Sequence, residues 1–277
     1  IRNRQWANLR KPLIYTLLTG IALGVYLISW IGGLLLLFIL FSCTVLLYLI
    51  EHLRGKSTDY LCIIMAPVFL IALIIVVPFR NQLLGSNLYI ASLPVAVFTF
   101  PVLSGISRLM EGRDIKRVYY PLVLAGLGLV GLVCFWRIDP SLFNSIMGKF
   151  GLFTPDTGAL TVGEARPIYY NIYGNLSFST SWANFTTGLI MAPIALILIT
   201  YTVIKKVSAE RILLIVWSLV MIAATIAQTR FAYYLAVNVA LLSGYLCWKI
   251  PGWISGIISR LGFRDRPASQ VDDSRWR

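Results

Sequence analysis

Apolar residues run along this chain in long blocks, and the polar positions collect in the gaps between them. The blocks are continuous rather than amphipathic stripes, so they do not describe helices with one wet face. A helix needs about 20 apolar residues to cross the hydrocarbon core of a bilayer. Eight blocks approach that length: Leu13–Trp30, Gly33–Ile50, Tyr60–Phe79, Leu88–Leu109, Val118–Trp136, Phe185–Ile204, Ile212–Ala227 and Phe231–Trp248. The first two form one apolar stretch interrupted by "SWIGG". There Trp30 suits a membrane interface, and Gly32 and Gly33 permit a tight turn. Pro67, Pro94, Pro101 and Pro193 fall inside predicted spans, which helices packed on neighbours tolerate. The pattern predicts an all-α polytopic membrane protein. A transmembrane domain over 1–250 is followed by a cytoplasmic interfacial helix and tail over 251–277, where "WISGIISRLGF" reads as a helix lying on the surface.

Composition sharpens this class. Hydrophobic residues make up 58% of the chain and charged residues only 13%, against about a quarter charged in a soluble domain. The net charge of +13 describes topology rather than a nucleic-acid footprint, because basic residues in membrane proteins mostly set orientation. Of the 24 Lys and Arg residues, only Arg80, Arg137, Lys149, Arg166 and Arg230 lie in one alternate set of loops. The richer set is the cytoplasmic one, so both ends of the chain are expected in the cytoplasm and an even number of spans agrees. Cys43, Cys62, Cys134 and Cys247 sit in apolar runs without close Cys or His neighbours, as small buried hydrophobes do. The single histidine, His52, reads as solvated at an interface.

One external connection stands apart. It runs over about 137–184, and loops of that length are functional or disordered. Its content of Phe143, Phe150, Phe153, Tyr169, Tyr170, Tyr173, Phe178 and Trp182 favours packing or ligand contact. Within it, "GALTVGEARPIYYN" carries Glu164, one of three acidic residues in the loop with Asp139 and Asp156. Glu164 could pair with Arg166, or "TVGE" could open a helix as a capping box from Thr161. Pro167 biases Arg166 away from helix, so the stretch reads as a rigid extended or turn segment presenting a carboxylate. Arg230, in "AQTRFAYY", is the second anomaly, an arginine at an external turn between two spans. It is either a snorkelling anchor or a fixed cation facing the same side as Glu164, suited to a lipid-linked phosphate. Taken alone, these residues describe a membrane protein handling a polar or phosphorylated ligand at its external surface.

The stretch "TVGE" (Thr161–Glu164) resembles the TIXE-type motif in the last large external loop of the oligosaccharyltransferase catalytic subunit family, whose members include archaeal AglB-like and bacterial PglB-like proteins. "TRFAYYLAVNVALL" from Thr229 resembles the family's Arg-Phe segment near the outer end of a late transmembrane helix. "GVYLISWIGGLLLLF" resembles the opening of its central spans. The resemblance implies a GT-C-type glycosyltransferase transmembrane domain. It implies transfer of an oligosaccharide from a polyprenyl or dolichyl (di)phosphate carrier to Asn of Asn-X-Ser/Thr in an acceptor polypeptide. By position, Glu164 would contact the acceptor amide and help hold a divalent metal, Mg²⁺ or Mn²⁺, Thr161 would line the acceptor groove, and Arg230 would stabilise charge on the carrier phosphate. The family's other metal-binding acids lie in earlier external loops, and its Trp-Trp-Asp motif lies in a later soluble domain. The chain is therefore expected to be a fragment covering the middle and late membrane domain, with an incomplete metal site and no activity alone. The arginine with which bacterial members read an acidic acceptor residue falls near Leu176 here.

The implied partners are the lipid-linked oligosaccharide, the acceptor polypeptide and membrane lipids, with no nucleic acid. The implied location is an archaeal or bacterial plasma membrane with the active face external. Two other readings share the helices and the long loop: another GT-C enzyme using a polyprenyl-phosphate sugar or an O-antigen ligase, and a transporter of lipid-linked sugar. A transporter would place polar or charged residues near the bilayer midplane, and these spans are nearly free of them. Two sequons, Asn175-Leu-Ser and Asn184-Phe-Thr, also lie in the long loop.

Overall fold

The computed structural model describes residues 6–30, 32–79, 81, 86–113, 115–138, 140, 143, 163–164, 166–170, 173 and 175–260. Thr161, Asp139 and Asp156 lie outside the described residues. The described elements are helical: α1 (Trp6–Ser29), α2 (Gly33–Leu53), α3 (Asp59–Val76), α4 (Ser86–Gly112), α5 (Tyr120–Ile138), α6 (Ser179–Phe185), α7 (Gly188–Lys205), α8 (Ala209–Ala227) and α9 (Ala232–Arg260). Short 3-10 turns cover Val77–Phe79, Arg117–Tyr119 and Thr229–Phe231. Among the described residues, eight helices are long and apolar enough to cross a membrane, and they coincide with the eight blocks read from the sequence. Helices suit such a chain, since they satisfy every backbone polar group without water. The chain is an integral membrane protein by this architecture.

The chain folds as two compact units, one of residues 1–154 and 208–220, the other of residues 155–207 and 221–277. In the first unit, α3 packs between α1 and α4. Lipid gives helices no hydrophobic reason to associate, so close van der Waals fit must do it. α1 supplies that fit through Gly20 and Gly24, one turn apart. A Cβ at Gly20 would lie 2.8 Å from Ile71 Cβ, and one at Gly24 would lie 2.9 Å from Ile75 Cβ. The two isoleucines of α3 therefore seat directly on bare α1 backbone. An aromatic core follows on the other side of α3. Phe100 of α4 stacks on Phe69 at 5.6 Å and on Tyr48 at 6.0 Å, and all three are fully buried.

In the turn between α1 and α2, Gly32 has an ordinary φ of −79°, so the backbone there does not itself demand glycine. A Cβ on Gly32 would meet the Trp30 ring at 2.4 Å, so the indole packs directly over the Gly32 backbone. His52 departs from expectation. It is not solvated: the side chain is 1% exposed, its Nδ1 lies 2.8 Å from Ser107 Oγ, and its ring stacks on Tyr120 at 4.0 Å. The helix-end position suggested water, but Tyr120 and the last turns of α4 cover it. Nearby, Arg108 donates to Asp59 at 3.0 Å, and Ser104 donates to the same oxygen at 2.8 Å.

In the second unit α7 packs against α9. Gly188, the first residue of α7, makes this possible, since a Cβ there would lie 2.5 Å from Val239 Cγ1. The span expected over Phe185–Ile204 is α7, preceded by a separate short helix. α6 ends at Phe185, Thr186 takes a positive φ of 46°, and α7 starts at Gly188. That conformation is costly for a β-branched residue and marks an abrupt change of direction. Helix continues through Pro251 to Arg260, so the segment read as a separate surface helix joins α9 without a break.

Candidate active site

The segment around Glu164 is held by backbone rather than by charge. Gly163 and Glu164 form a turn, and the described residues that follow make turns and one bridge, not a helix. Pro167 lacks an N–H and fixes its φ, which suits this irregular path. Pro167 and Ile168 are buried, with Ile168 2% exposed, so they pin the segment to the unit. The Tyr170 N–H donates to the Pro167 carbonyl at 3.1 Å. Beyond it, Tyr170 bridges antiparallel to Leu176, and the Ser177 N–H donates to the Tyr169 carbonyl at 2.8 Å. Tyr169 packs edge-on to Phe178 at 5.3 Å.

Arg230 lies 66 positions further along the chain, yet it meets this segment directly. The Arg230 N–H donates to the Glu164 carbonyl at 2.9 Å, and the Thr229 N–H donates to the Arg166 carbonyl at 2.8 Å. The Thr229 hydroxyl donates to that same carbonyl at 2.7 Å. Three hydrogen bonds thus lock the 3-10 turn Thr229–Phe231 to the Glu164 turn. The turn has donors to spare because it interrupts the helical ladder between α8 and α9. Gln228 is extended, with φ −148° and ψ 128°, and this frees the next N–H groups to point sideways.

The side chains of Glu164 and Arg230 are both exposed. Neither has a hydrogen-bonding or ion-pair partner among the described residues, where the ion pair found is Asp59–Arg108. The local Glu164–Arg166 salt bridge is therefore not formed. Arg166 is instead half-buried, with its Nε lacking a partner. Arg230 spreads its guanidinium over the Phe231 ring at 5.2 Å. The result is one carboxylate and one guanidinium, tethered by their own backbones and both presented to the surroundings. The first turn of α9 follows at once and adds the partial positive charge of a helix N-terminus.

Beneath the paired backbone lies a cavity of about 120 Å³, walled by α6, α7, α9 and the last turns of α8. Ile168 and Tyr169 roof it. Its lining is mainly apolar, and the Ser181 and Thr225 hydroxyls within it are buried and unpartnered.

A divalent metal needs more than these residues offer. Glu164 brings one carboxylate of the hard-oxygen kind that Mg²⁺ or Mn²⁺ takes. Among the described residues no three His, Cys, Asp or Glu side chains gather to hold an ion. They do not make a metal site by themselves.

Comparison with known proteins shows what this arrangement is similar to. No protein-family model matches the chain. A curated Haloferax volcanii protein, dolichyl-monophosphooligosaccharide–protein glycotransferase AglB, is 27% identical over 86% of this chain. The Archaeoglobus fulgidus dolichyl-phosphooligosaccharide-protein glycotransferase 3 is 21% identical over 84%. The chain resembles the catalytic subunits of archaeal oligosaccharyltransferases. It spans 29% and 28% of the length of these two relatives. The fold agrees: the apo A. fulgidus oligosaccharyltransferase superposes with a TM-score of 0.73 at 20% identity over 94% of this chain and 31% of that one. The same archaeon's AglB, solved with an inhibitory peptide and a dolichol-phosphate, gives 0.72 at 19% identity over 93% of this chain and 31% of that chain. The all-helical architecture is that of the oligosaccharyltransferase transmembrane domain.

The sequence put Glu164 and Arg230 on one face, and the resemblance put them on one reaction, but neither showed what joins them. The residues it missed are the joints: Thr229, the Arg166 carbonyl and the buried Ile168. A hydroxyl residue beside an arginine in a connection too short for helix was the available signal, because such a residue commonly bonds backbone.

Proposed function

We propose that this chain is the central membrane part of an enzyme that transfers an oligosaccharide from a polyprenyl or dolichyl (di)phosphate carrier to asparagine in Asn-X-Ser/Thr. The observation that carries this reading is the pairing of Arg230 N–H with the Glu164 carbonyl at 2.9 Å. It holds an acceptor for amide N–H groups and a phosphate-binding cation in one small region. The reaction asks for both. The acceptor amide must be oriented and relieved of a proton as it attacks the anomeric carbon. The leaving phosphate gathers negative charge as its bond to that carbon breaks.

In this reading the Glu164 carboxylate accepts a hydrogen bond from the acceptor amide and orients it. Thr161, three residues earlier, lines the acceptor groove. Arg230 meets the carrier phosphate, where a guanidinium matches two oxygens at once, and the α9 N-terminus adds to the same field. A divalent cation bound with Glu164 and further donors would supply Lewis-acid charge to the donor phosphate. The active face is external, by the distribution of basic residues. The 251–277 segment lies on the cytoplasmic side.

The test is transfer from lipid-linked oligosaccharide to an Asn-X-Thr peptide by the full-length protein. Glu164→Gln keeps the shape and removes the charge, and transfer should fall about 10²-fold or more. Undiminished transfer by this variant would refute the role of Glu164.

A further inference from the structure

We infer that Arg166 is a second phosphate-binding residue, acting beside Arg230 on the charge that the carrier gains as the oligosaccharide leaves. The inference rests on the reading that the full-length protein uses a lipid-linked (di)phosphate at this face, and it names a further residue for that reaction.

The Arg166 backbone is fixed from both sides. Its carbonyl accepts from the N–H and the hydroxyl of Thr229, at 2.8 Å and 2.7 Å. Pro167 and Ile168, which follow it, are buried. Thr229 precedes Arg230 directly, so these bonds bring the Arg166 and Arg230 backbones side by side.

The Arg166 side chain has no partner within the fold to account for it. A guanidinium carries five N–H donors and stays charged. Arg166 is half-buried, and its buried Nε has no hydrogen-bond partner. Glu164 is the only acid among the described residues of this unit, and the two form no ion pair. A partly buried cation without an acceptor is costly. It therefore gains more from an arriving oxyanion than a fully hydrated arginine does.

The charge balance of the transfer favours a phosphate as that oxyanion. A bond forms between the acceptor amide nitrogen and the anomeric carbon, and the nitrogen releases a proton to water. The bond from that carbon to the carrier phosphate oxygen breaks, and the phosphate keeps the electron pair. Its negative charge rises by one. A second guanidinium beside Arg230 is worth most at that moment, because it meets charge that the resting carrier lacks. A carboxylate on an acceptor peptide undergoes no such change. Arg166 is also bonded to the turn that carries Arg230 and leads into the α9 N-terminus, whose partial positive charge favours the same anion.

The experiment compares Arg166→Gln and Arg166→Lys in the full-length protein, since both keep the carbonyl that Thr229 holds. Transfer from lipid-linked oligosaccharide to Asn-X-Thr peptides, binding of dolichyl monophosphate and Tm are measured together. Arg166→Gln should lower kcat about 10- to 100-fold, with the peptide KM and Tm in place, and should weaken dolichyl monophosphate binding about tenfold. Arg166→Lys should recover part of both losses. Unchanged kcat and binding in Arg166→Gln would overturn the inference. So would a loss confined to peptides with an acidic residue beside the sequon, which would assign Arg166 to the acceptor. A fall in Tm with dolichyl monophosphate affinity unchanged would make the role structural and also overturn it. If the unaltered protein transfers nothing but its dolichyl monophosphate binding still weakens in Arg166→Gln, the phosphate contact stands and the proposed activity fails instead.

Discussion

Thr229 makes two bonds to the Arg166 carbonyl, and only one of them depends on its side chain. Thr229→Val keeps the shape and the N–H but removes the hydroxyl bond. We expect a loss of about 1 kcal/mol, read as a small fall in Tm, with peptide transfer lowered less than by Glu164→Gln. Thr229→Pro removes the N–H donor as well, and should loosen the tether enough to lower transfer further. At the other end of the chain's polar chemistry, Ser107→Ala strips buried His52 of its partner. A buried group left unpaired costs about 1–3 kcal/mol, so this variant should unfold at lower temperature while transfer at low temperature persists. His52 also shows where residue-scale reading stops. Its position at a helix end was legible, but Tyr120 stacking over it depends on helices far apart in sequence.

At the scale of elements, the spans were legible because length and hydropathy alone decide which helices cross a bilayer. Gly33–Ile50 was read and Gly33–Leu53 was found; Leu88–Leu109 was read and Ser86–Gly112 was found. What the pattern did not carry was which helix faces which. Gly20 and Gly24 are one turn apart, the spacing of a close helix contact, yet only the structure identifies Ile71 and Ile75 as their partners. Nor did it foresee α6, whose sequence is mostly polar, or the break at Thr186 that sets it off from α7. Gly24→Leu should drive a side chain into Ile75 and destabilise the first unit by about 1–3 kcal/mol. Gly105→Ala in α4 is the matched control, because nothing lies within 4 Å of its added Cβ. It should be neutral or slightly stabilising, as alanine is the better helix former. Thermal unfolding of the two variants in detergent checks the contrast.

For the molecule as a whole, orientation rests on the five basic residues of the sparse loops against the many of the others. In a background without native cysteines, a membrane-impermeant thiol reagent applied outside should label Tyr173→Cys and Tyr233→Cys. It should reach Arg54→Cys and Arg113→Cys only after the membrane is opened. The reverse pattern would put the Glu164 turn in the cytoplasm and remove the external site. The candidate site was half legible in the sequence: Glu164 and Arg230 stood out as charges against an apolar background, but backbone pairing between residues 66 positions apart leaves no mark in composition.

The central claim is that Glu164 and Arg230 act as one tethered unit on one reaction. It is tested most directly by transfer rates of full-length Glu164→Gln, Arg230→Ala and the double variant, with lipid-linked oligosaccharide and an Asn-X-Thr peptide. Each single change should cost about 10²-fold or more, and the double should fall little below the worse single, as groups serving one step do. Full transfer by either single variant, or losses that multiply, would contradict it.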